Sequence, residues 1–443
     1  MKKSPLLIIF LTVFIDLIGF GIVLPLLPIY SDTFGASGLI IGLIMASFSA
    51  MQFLFAPAWG RLSDRIGRRP VLLISTAGAA GSYALFGIGS GMTSASAALT
   101  VILLSRVVAG ICGANITVAQ ACIADVTPVD QRSKRMGLIG MAFGLGFIFG
   151  PALGGISIQL FGTSGPGWVA AALCAANLLL AFWVLPETRQ PSTAPTALRP
   201  HLAEWTETLR RPGIGLLIVV FFLATFCFTC FETTLSLLVA HNFKLIEPGT
   251  HISTIDLLNR EKFAAAAATG SYLFVWCGLI GAFVQGGPLG RLVRRFGEVN
   301  LIAWSLVLVG ISLAPLPFIR GEGRLSWAAL ASSAGGPWWL MLAVLAVLSV
   351  GSSLTRPPLF GLISILTPAD RQGATLGVAQ SVGSLARILG PIFAAGLYDL
   401  LLPLPYLVCA AIALVTGLVA WRQLRTFSRD SQPDATGATA TPS

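Results

Sequence analysis

The feature that most constrains the fold is a series of long apolar stretches that runs through almost the whole chain. A helix needs about 20 apolar residues to cross the roughly 30 Å hydrocarbon core of a bilayer. Because only 10% of the residues are charged, against about 25% in a soluble domain, an all-α membrane protein with twelve transmembrane helices is predicted. The predicted spans are 6–30, 39–59, 71–90, 97–120, 136–158, 167–185, 213–239, 270–289, 299–317, 337–356, 373–397 and 404–421.

The basic residues are distributed unequally between the two sides that these spans define. Of the 28 lysines and arginines, 21 lie at the N-terminus, in the loops after even-numbered spans or in the C-terminal tail, and five lie in the other loops. Loops rich in Lys and Arg stay in the cytoplasm. Both termini are therefore predicted to be cytoplasmic, and the net charge of +10 is attributed to membrane topology, with no nucleic acid as partner.

The longest predicted cytoplasmic connection divides the chain into two halves. Residues 187–212 carry four prolines and mixed charges, so 1–186 and 213–422 are predicted to be N-terminal and C-terminal six-helix bundles joined by this linker. A short surface helix is predicted at 201–211, and a helix at 252–268 that lies along span eight or extends it. The tail 423–443, rich in Ser, Thr, Pro and Ala, is predicted to be disordered.

An internal repeat supports the division into halves. Gly60–Gly67 (GRLSDRIG) recurs as Gly290–Gly297 (GRLVRRFG), and Thr127–Asp130 (TPVD) recurs as Thr367–Asp370 (TPAD). Each copy occupies the same place in its half, as expected for parallel six-span repeats. The two bundles are therefore predicted to be pseudo-symmetric.

Four motifs of the first half resemble those of one transporter family: FIDLIGFGIVLPLLP (14–28), GRLSDRIGRRPVLL (60–73), SRVVAGICGANITVAQACIAD (105–125) and GLGFIFGPALGG (144–155). Over about residues 5–422, the chain resembles the twelve-span drug/proton antiporters of the major facilitator superfamily, and in particular the tetracycline-resistance exporters. The resemblance implies the major facilitator fold and export of small amphipathic or hydrophobic compounds, coupled to protons, by alternating access. It also implies a bacterial inner membrane location, a monomer, no cofactor and no enzymatic activity.

The second motif supplies a candidate cytoplasmic gate, whose residues are Gly60, Asp64, Arg65, Gly67, Arg68 and Asp125. The glycines permit a tight loop, and the charged side chains can form charge-assisted hydrogen bonds with neighbouring helix ends. In related transporters such a cluster holds the cytoplasmic side in one conformation. Arg294 replaces Asp64 in the second copy, so this acid–base pair exists once. The alternative is an ordinary basic loop.

Small residues on span five form a second candidate element, which comprises Gly146, Gly150, Pro151, Gly154 and Gly155. Small side chains let helices approach closely, and proline adds a kink. Such a helix at the interface of the two halves suits a rocking motion, and the family pattern is associated with exporters. Simple membrane packing is the alternative.

Ionisable residues inside the spans are candidates for proton coupling or substrate binding, since a charge at the bilayer centre costs about 3 kcal/mol. Asp16 lies roughly 15 Å deep in span one, at 1.5 Å per residue. It is a candidate proton carrier or a candidate contact for a cationic substrate, and the alternative is a structural carboxylate. Arg106 is a fixed positive partner, to which the resemblance gives a role in proton coupling. Glu232 is a proton site, a substrate site or part of a structural pair. Arg387 is predicted to be structural, paired with a carbonyl oxygen or with Asp399.

Polar residues of the spans are the candidate cavity-lining groups: Gln52, Asn115, Gln120, Gln285 and Gln380. No metal site is predicted, because the CxxC of Cys227 and Cys230 lies inside an apolar span without a second ligand pair.

The sequence departs from the tetracycline exporters at two positions. Ser82 stands where their third span carries an aspartate, and the ninth span lacks their acid. Those carboxylates would suit a magnesium–tetracycline complex, because Mg²⁺ prefers oxygen ligands. The substrate therefore stays open, and the alternative function is proton-coupled or facilitative transport of an endogenous metabolite.

Overall fold

The computed structural model describes residues 5–113, 116–127, 132–188, 202–246, 257–367 and 372–430. Its α-helices are, in chain order, α1 (Pro5–Val23), α2 (Leu27–Thr33), α3 (Gly38–Ile66), α4 (Arg68–Ser90), α5 (Ala95–Gly113), α6 (Ile116–Asp125), α7 (Arg132–Phe161), α8 (Gly165–Val184), α9 (Leu202–Arg210), α10 (Pro212–Asn242), α11 (Leu257–Gly286), α12 (Leu289–Phe296), α13 (Glu298–Leu313), α14 (Trp327–Ala331), α15 (Gly336–Leu366), α16 (Gln372–Leu400) and α17 (Leu404–Asp430).

In the part of the chain that the structure describes, twelve stretches of helix are long and apolar enough to cross a membrane, which confirms the predicted number. In order, spans one to twelve are α1 with α2, α3, α4, α5 with α6, α7, α8, α10, α11, α13, α15, α16 and α17. The number of crossings is even, so both ends of the described chain lie on one side, together with the arginines at 61–69 and 291–295. We call this side the basic face and the other side the opposite face.

The two halves pack their helices in the same way. In the first half, span one packs on span five, and span three packs on spans four and six. In the second half, span seven packs on span eleven, and span nine packs on spans ten and twelve. These are the equivalent pairs, so the predicted pair of pseudo-symmetric bundles is confirmed.

Large apolar side chains on the outside of the bundle suit a lipid environment. Leu160, Trp183 and Phe283 are 69%, 79% and 74% exposed, which would be costly in water for so many neighbouring side chains. In lipid these surfaces carry no such cost, because lipid tails are as apolar as the side chains themselves.

The repeated motif differs from the predicted loop. α3 continues through Gly60 to Ile66, and the turn into α4 consists of Gly67 alone, with φ of 105° and ψ of 161°. In the second copy Gly297 makes the same turn, with φ of 75° and ψ of 158°. Only glycine adopts this backbone region without strain, so one glycine in each half separates two helices.

Two further boundaries correct the sequence prediction. α15 passes through Pro357 and Pro358 to Leu366, so Arg356, the last residue of predicted span ten, lies well inside that span. α17 continues to Asp430, and Leu424 is only 3% exposed within an apolar cluster. The first eight residues of the tail that was predicted to be disordered are therefore helical, and the residues from 431 onward lie outside the described part.

The short helix of the linker and the extension of span eight are both present. α9 covers Leu202–Arg210 within the predicted 201–211, and it packs on spans seven and eleven. α11 begins at Leu257, so it includes most of the predicted 252–268 and extends span eight.

Candidate functional site

The two halves meet closely where span two crosses span eleven, near the opposite face. The backbone amide of Gly38 donates a hydrogen bond to Oδ2 of Asp399. A Cβ atom added to Gly42 would lie 2.6 Å from Cα of Ile392. These helices are therefore in backbone contact, which a larger side chain at Gly42 would prevent.

The pseudo-symmetric contact joins span five to span eight. A Cβ atom on Gly155 would lie 2.9 Å from Cε1 of Tyr272, and one on Gly278 would lie 2.8 Å from Cγ1 of Ile148. This contact reaches from the opposite face to mid-membrane.

Polar and aromatic groups complete the closure of the opposite face. His241 of span seven lies 2.9 Å from the Tyr398 hydroxyl through Nδ1, and its Nε2 lies 3.8 Å from Oδ2 of Asp32 in span one. The ring of Tyr30 packs edge-on against Phe263, with centroids 5.0 Å apart. The structure is therefore a conformation in which the halves are joined at the opposite face.

At the basic face, the charged residues of the predicted gate form one cluster. Arg68 donates from Nη1 to Oδ1 of Asp64 at 2.6 Å and from Nε to Oδ2 of Asp125 at 3.1 Å. Its Nη1 also lies 2.6 Å from the hydroxyl of Ser63. The cluster joins spans two, three and four of the first half, while Arg65 is exposed.

Glu187 is a part of this cluster that sequence reasoning missed. Its two carboxylate oxygens accept hydrogen bonds from the amides of Arg68 and Arg69, at 2.9 and 3.1 Å. These amides begin α4, where unpaired N–H groups and the helix dipole favour a negative charge. A Cβ on Gly67 would lie 2.5 Å from Oε2 of Glu187, so a larger residue at this turn would displace the carboxylate from the two amides.

The glycines of span five serve two different contacts. A Cβ on Gly150 would lie 2.5 Å from Cα of Gly21 in span one, and Gly146 and Gly154 face the same span. Gly155 alone of these four glycines faces the other half. Span five thus contacts the other half through Gly155, while Gly146, Gly150 and Gly154 pack it inside its own bundle.

Asp16 is held by a buried amide. Nδ2 of Asn177, in span six, donates to Oδ1 of Asp16 at 3.0 Å and to the carbonyl oxygen of Thr12 at 2.9 Å. Asn177 is fully buried, so this hydrogen bond fixes the carboxyl group within the first bundle. The sequence signal for Asn177 was a single amide in an apolar span, which sequence reasoning did not use.

Arg106 is fully buried between two aromatic rings. Its guanidinium carbon lies 5.8 Å from the ring centroids of Phe48 and of Tyr83. None of its three guanidinium nitrogens donates a hydrogen bond to a described residue. Tyr83 interacts electrostatically with both Arg106 and Asp16, so the two predicted residues belong to one polar cluster. Aromatic faces offset part of the cost of burying a cation.

Glu232 and Arg387 are the charged residues predicted inside the spans of the second half. Glu232 is 8% exposed and interacts electrostatically with Arg387. Arg387 also donates to the hydroxyl of Ser384 at 3.0 Å. Asp399, which was predicted with a carbonyl oxygen as the alternative partner of Arg387, instead accepts the hydrogen bond from Gly38 at the opposite face.

Arg356, the last residue of predicted span ten, is a further charged residue of this region. Its guanidinium carbon lies 5.8 Å from the ring centroid of Phe221 and 5.6 Å from that of Phe360. It interacts electrostatically with Arg387.

Of the candidate cavity-lining residues, one makes a hydrogen bond inside the first half and three are exposed. Gln52 donates to the carbonyl oxygen of Gly113 at 2.9 Å, while Gln120, Gln285 and Gln380 are exposed. Asn115 lies outside the described residues. Within the described ranges, no three His, Cys, Asp or Glu side chains form a group that could hold a metal ion.

Comparison with known proteins agrees with this architecture. The family description Major Facilitator Superfamily matches residues 9–336 and 261–442. The chain is 32% identical to the class E tetracycline resistance protein of Escherichia coli, over 87% of this chain and 86% of that protein. It resembles the crystal structure of the human organic anion transporter MFSD10, with 27% identity, a TM-score of 0.60 and coverage of 95% and 99%. It shares its fold with the nucleoside transporter NupG, at 14% identity, a TM-score of 0.69 and coverage of 95% and 100%. The chain therefore belongs to the major facilitator superfamily of membrane transporters.

Proposed function

We propose that this transporter is a proton-coupled antiporter that exports small amphipathic compounds by alternating access. Its basic face is cytoplasmic, because loops rich in Lys and Arg stay on that side. Similarity to a tetracycline resistance protein supports export of a small molecule as the function.

The observation that carries this proposal is the arrangement of acids and arginines inside a bundle that is joined at one face. Each half has a carboxyl group and an arginine inside its spans: Asp16 and Arg106, which both interact with Tyr83, and Glu232, which interacts with Arg387. Carboxyl groups at membrane depth are typical of proton relays. A rocking motion that separates the opposite-face contacts would expose such groups to the other side, as alternating access requires.

The roles follow from the chemistry of each side chain. Asp16 binds and releases the coupled proton, since a carboxyl group can exchange protons and an arginine does not do so usefully. Arg106 stabilises the carboxylate form through the same cluster. Glu232 is the second proton site, and Arg387 is its fixed positive partner.

Flux into proteoliposomes tests the proposal. An imposed pH gradient is applied with three fluorescent probes of different charge: ethidium, norfloxacin and dansylglycine. We expect accumulation of at least one probe, and Asp16→Asn should reduce the rate at least about tenfold, because the proton site is worth more than about 1.4 kcal/mol to the coupled cycle. Glu261→Gln, an exposed acid near the opposite face, is the matched control. Transport of no probe, or equal rates for the Asp16 variant and wild type, would overturn the proposal.

Ser82, which stands where the tetracycline exporters have an aspartate, leads to an expectation about tetracycline that the same assay can test. Ser82 is fully buried and donates to the carbonyl oxygen of Ala79 at 2.7 Å, so it supplies no carboxylate. Tetracycline with magnesium is expected to move no faster than in protein-free vesicles.

Transport of an endogenous metabolite is the second candidate function. The 27% identity with a human organic anion transporter favours it. The direction of flux distinguishes the two functions: an antiporter moves its substrate against the proton gradient, whereas a proton symporter moves both the same way.

A further inference from the structure

We propose that Arg356, with the rings of Phe221 and Phe360, forms a subsite for the acidic group of an amphipathic organic anion. This inference rests on the proposed transport function and names the substrate class. It stands on four features of the second half: the direction in which Arg356 points, its charge surroundings, its aromatic walls and its depth.

The direction of Arg356 follows from its helix. Five residues earlier, Gly351 faces span nine, since a Cβ there would lie 2.9 Å from the carbonyl oxygen of Ser305. An α-helix turns about 100° per residue, so Arg356 points about 140° away from span nine. Its guanidinium lies over Phe221 of span seven, and Arg356 is exposed. The proposal accordingly places the side chain at the space between the halves, away from span nine.

The charge of Arg356 is not neutralised by the described part of the chain. No ion pair forms between Arg356 and any described carboxylate, and the charged group with which it interacts is a second arginine, Arg387. Glu232 is the carboxylate that interacts with Arg387. One carboxylate beside two guanidinium groups leaves a net positive site, and such a site attracts anions.

The aromatic walls of the subsite are fixed by packing. Phe221 is 3% exposed, and a Cβ on Gly383 of span eleven would lie 2.5 Å from its Cε1. Phe360 meets Phe221 edge-on, with ring centroids 5.0 Å apart. Since both rings lie beside the guanidinium, an anion can pair with Arg356 in the bidentate manner of arginine, while its apolar body contacts the rings.

The depth of Arg356 suits entry from the basic face. It lies ten residues before the end of α15 at Leu366 and twenty after its start at Gly336, or about 15 Å and about 30 Å along the helix. The contacts between the halves described above lie from the opposite face to mid-membrane. The proposal therefore has the substrate enter from the basic face.

The subsite is separate from the proposed proton site. Arginine stays charged at every physiological pH, so Arg356 selects the substrate without exchanging a proton. The coupled proton remains with Asp16 in the first half, and the two are linked through the change of conformation.

Binding of a matched pair of probes to purified protein in nanodiscs tests the inference. Dansylglycine carries a carboxylate, and dansylglycinamide is the same molecule without the charge. We expect wild type to bind the anion at least about tenfold more tightly, because a charge-assisted hydrogen bond contributes about 1.5–3 kcal/mol. Arg356→Gln should remove this preference and leave the affinity for the amide unchanged, whereas Arg356→Lys should retain part of it. Arg291→Gln, an exposed arginine near the basic face, is the control that should match wild type.

Two results would overturn the inference: equal affinities of wild type for both probes, or an Arg356→Gln variant that keeps the preference. Arg356 is exposed, so Arg356→Gln is expected to fold, and its elution and melting temperature are compared with wild type. Failure of the proposed function is distinct from both. If ethidium is driven by the pH gradient equally well in wild type and Arg356→Gln, and wild type shows no preference for the anion, antiport stands and the anion site does not. If the anion binds through Arg356 and no probe moves under the gradient, the site stands and antiport does not.

Discussion

At the scale of single residues, glycines decide how closely the helices approach. Gly150 and Gly21 bring spans five and one into backbone contact, and a Cβ on Gly150 would lie 2.5 Å from Cα of Gly21. Neither neighbour can move away without moving a helix, because the contact is with backbone. A Cβ on Gly144, in the same helix, would meet no atom within 4 Å.

These two glycines make a matched pair of substitutions. Gly150→Ala should lower stability by about 1–3 kcal/mol, the usual cost of overpacking. Gly144→Ala should leave it unchanged or raise it by up to about 1 kcal/mol, since alanine is the better helix former. Thermal unfolding of the purified protein in detergent measures both, and an equal melting temperature for the two variants would contradict the assigned packing.

Contacts between residues that are far apart in the sequence were the least predictable part of the site. Asp16 and Arg106 could be singled out because an ionisable group in an apolar span needs an explanation. Their partners could not, because Asn177 lies 161 residues from Asp16 and nothing in its own neighbourhood indicates that contact. Glu187 was missed for the same reason: the amides that it caps belong to a helix 118 and 119 residues earlier.

At the scale of elements, the gate motif is a helix end and a one-residue turn. The sequence of the motif predicted a loop, because it contains glycines and charged residues. In the structure Asp64 and Arg68 lie four residues apart, on either side of the turn, and form an ion pair. The end of span ten was also predicted wrongly. The span was predicted to end at 356, but α15 continues through Pro357 and Pro358 to Leu366.

The asymmetry of the two copies of the motif supplies a test of the gate. Asp64→Asn should shift the balance between conformations about fivefold, because a partly exposed ion pair contributes up to about 1 kcal/mol. Arg68 keeps Asp125 and Ser63 as partners, so the fold should persist. The initial rate of flux into proteoliposomes measures the effect, with Arg294→Gln at the equivalent place of the second copy as control. Equal rates for both variants and wild type would remove Asp64 from the gate.

At the scale of the whole molecule, hydropathy was sufficient to predict twelve spans and the repeat was sufficient to predict two equivalent bundles. The conformation was not predictable, because it depends on which contacts between the halves are made. Spans two and eleven, and spans five and eight, are joined, with His241 and Asp399 at the opposite face. The predicted asymmetry holds for the gate motif, whose acid–base pair occurs in the first half. It does not extend to the buried charges, since each half has its own carboxyl group and arginine inside the spans.

The proposed exchange of substrate for protons is tested most directly by letting the substrate drive the proton. Vesicles that contain the protein, a pH-sensitive dye and the transported probe are diluted into probe-free buffer at equal pH, with the membrane potential clamped. Because coupling between the two ligands is reciprocal, the probe should leave and protons should enter, so the lumen should acidify. Asp16→Asn and protein-free vesicles should show no acidification. A lumen that becomes alkaline, or that keeps its pH while the wild-type protein releases the probe, would contradict antiport.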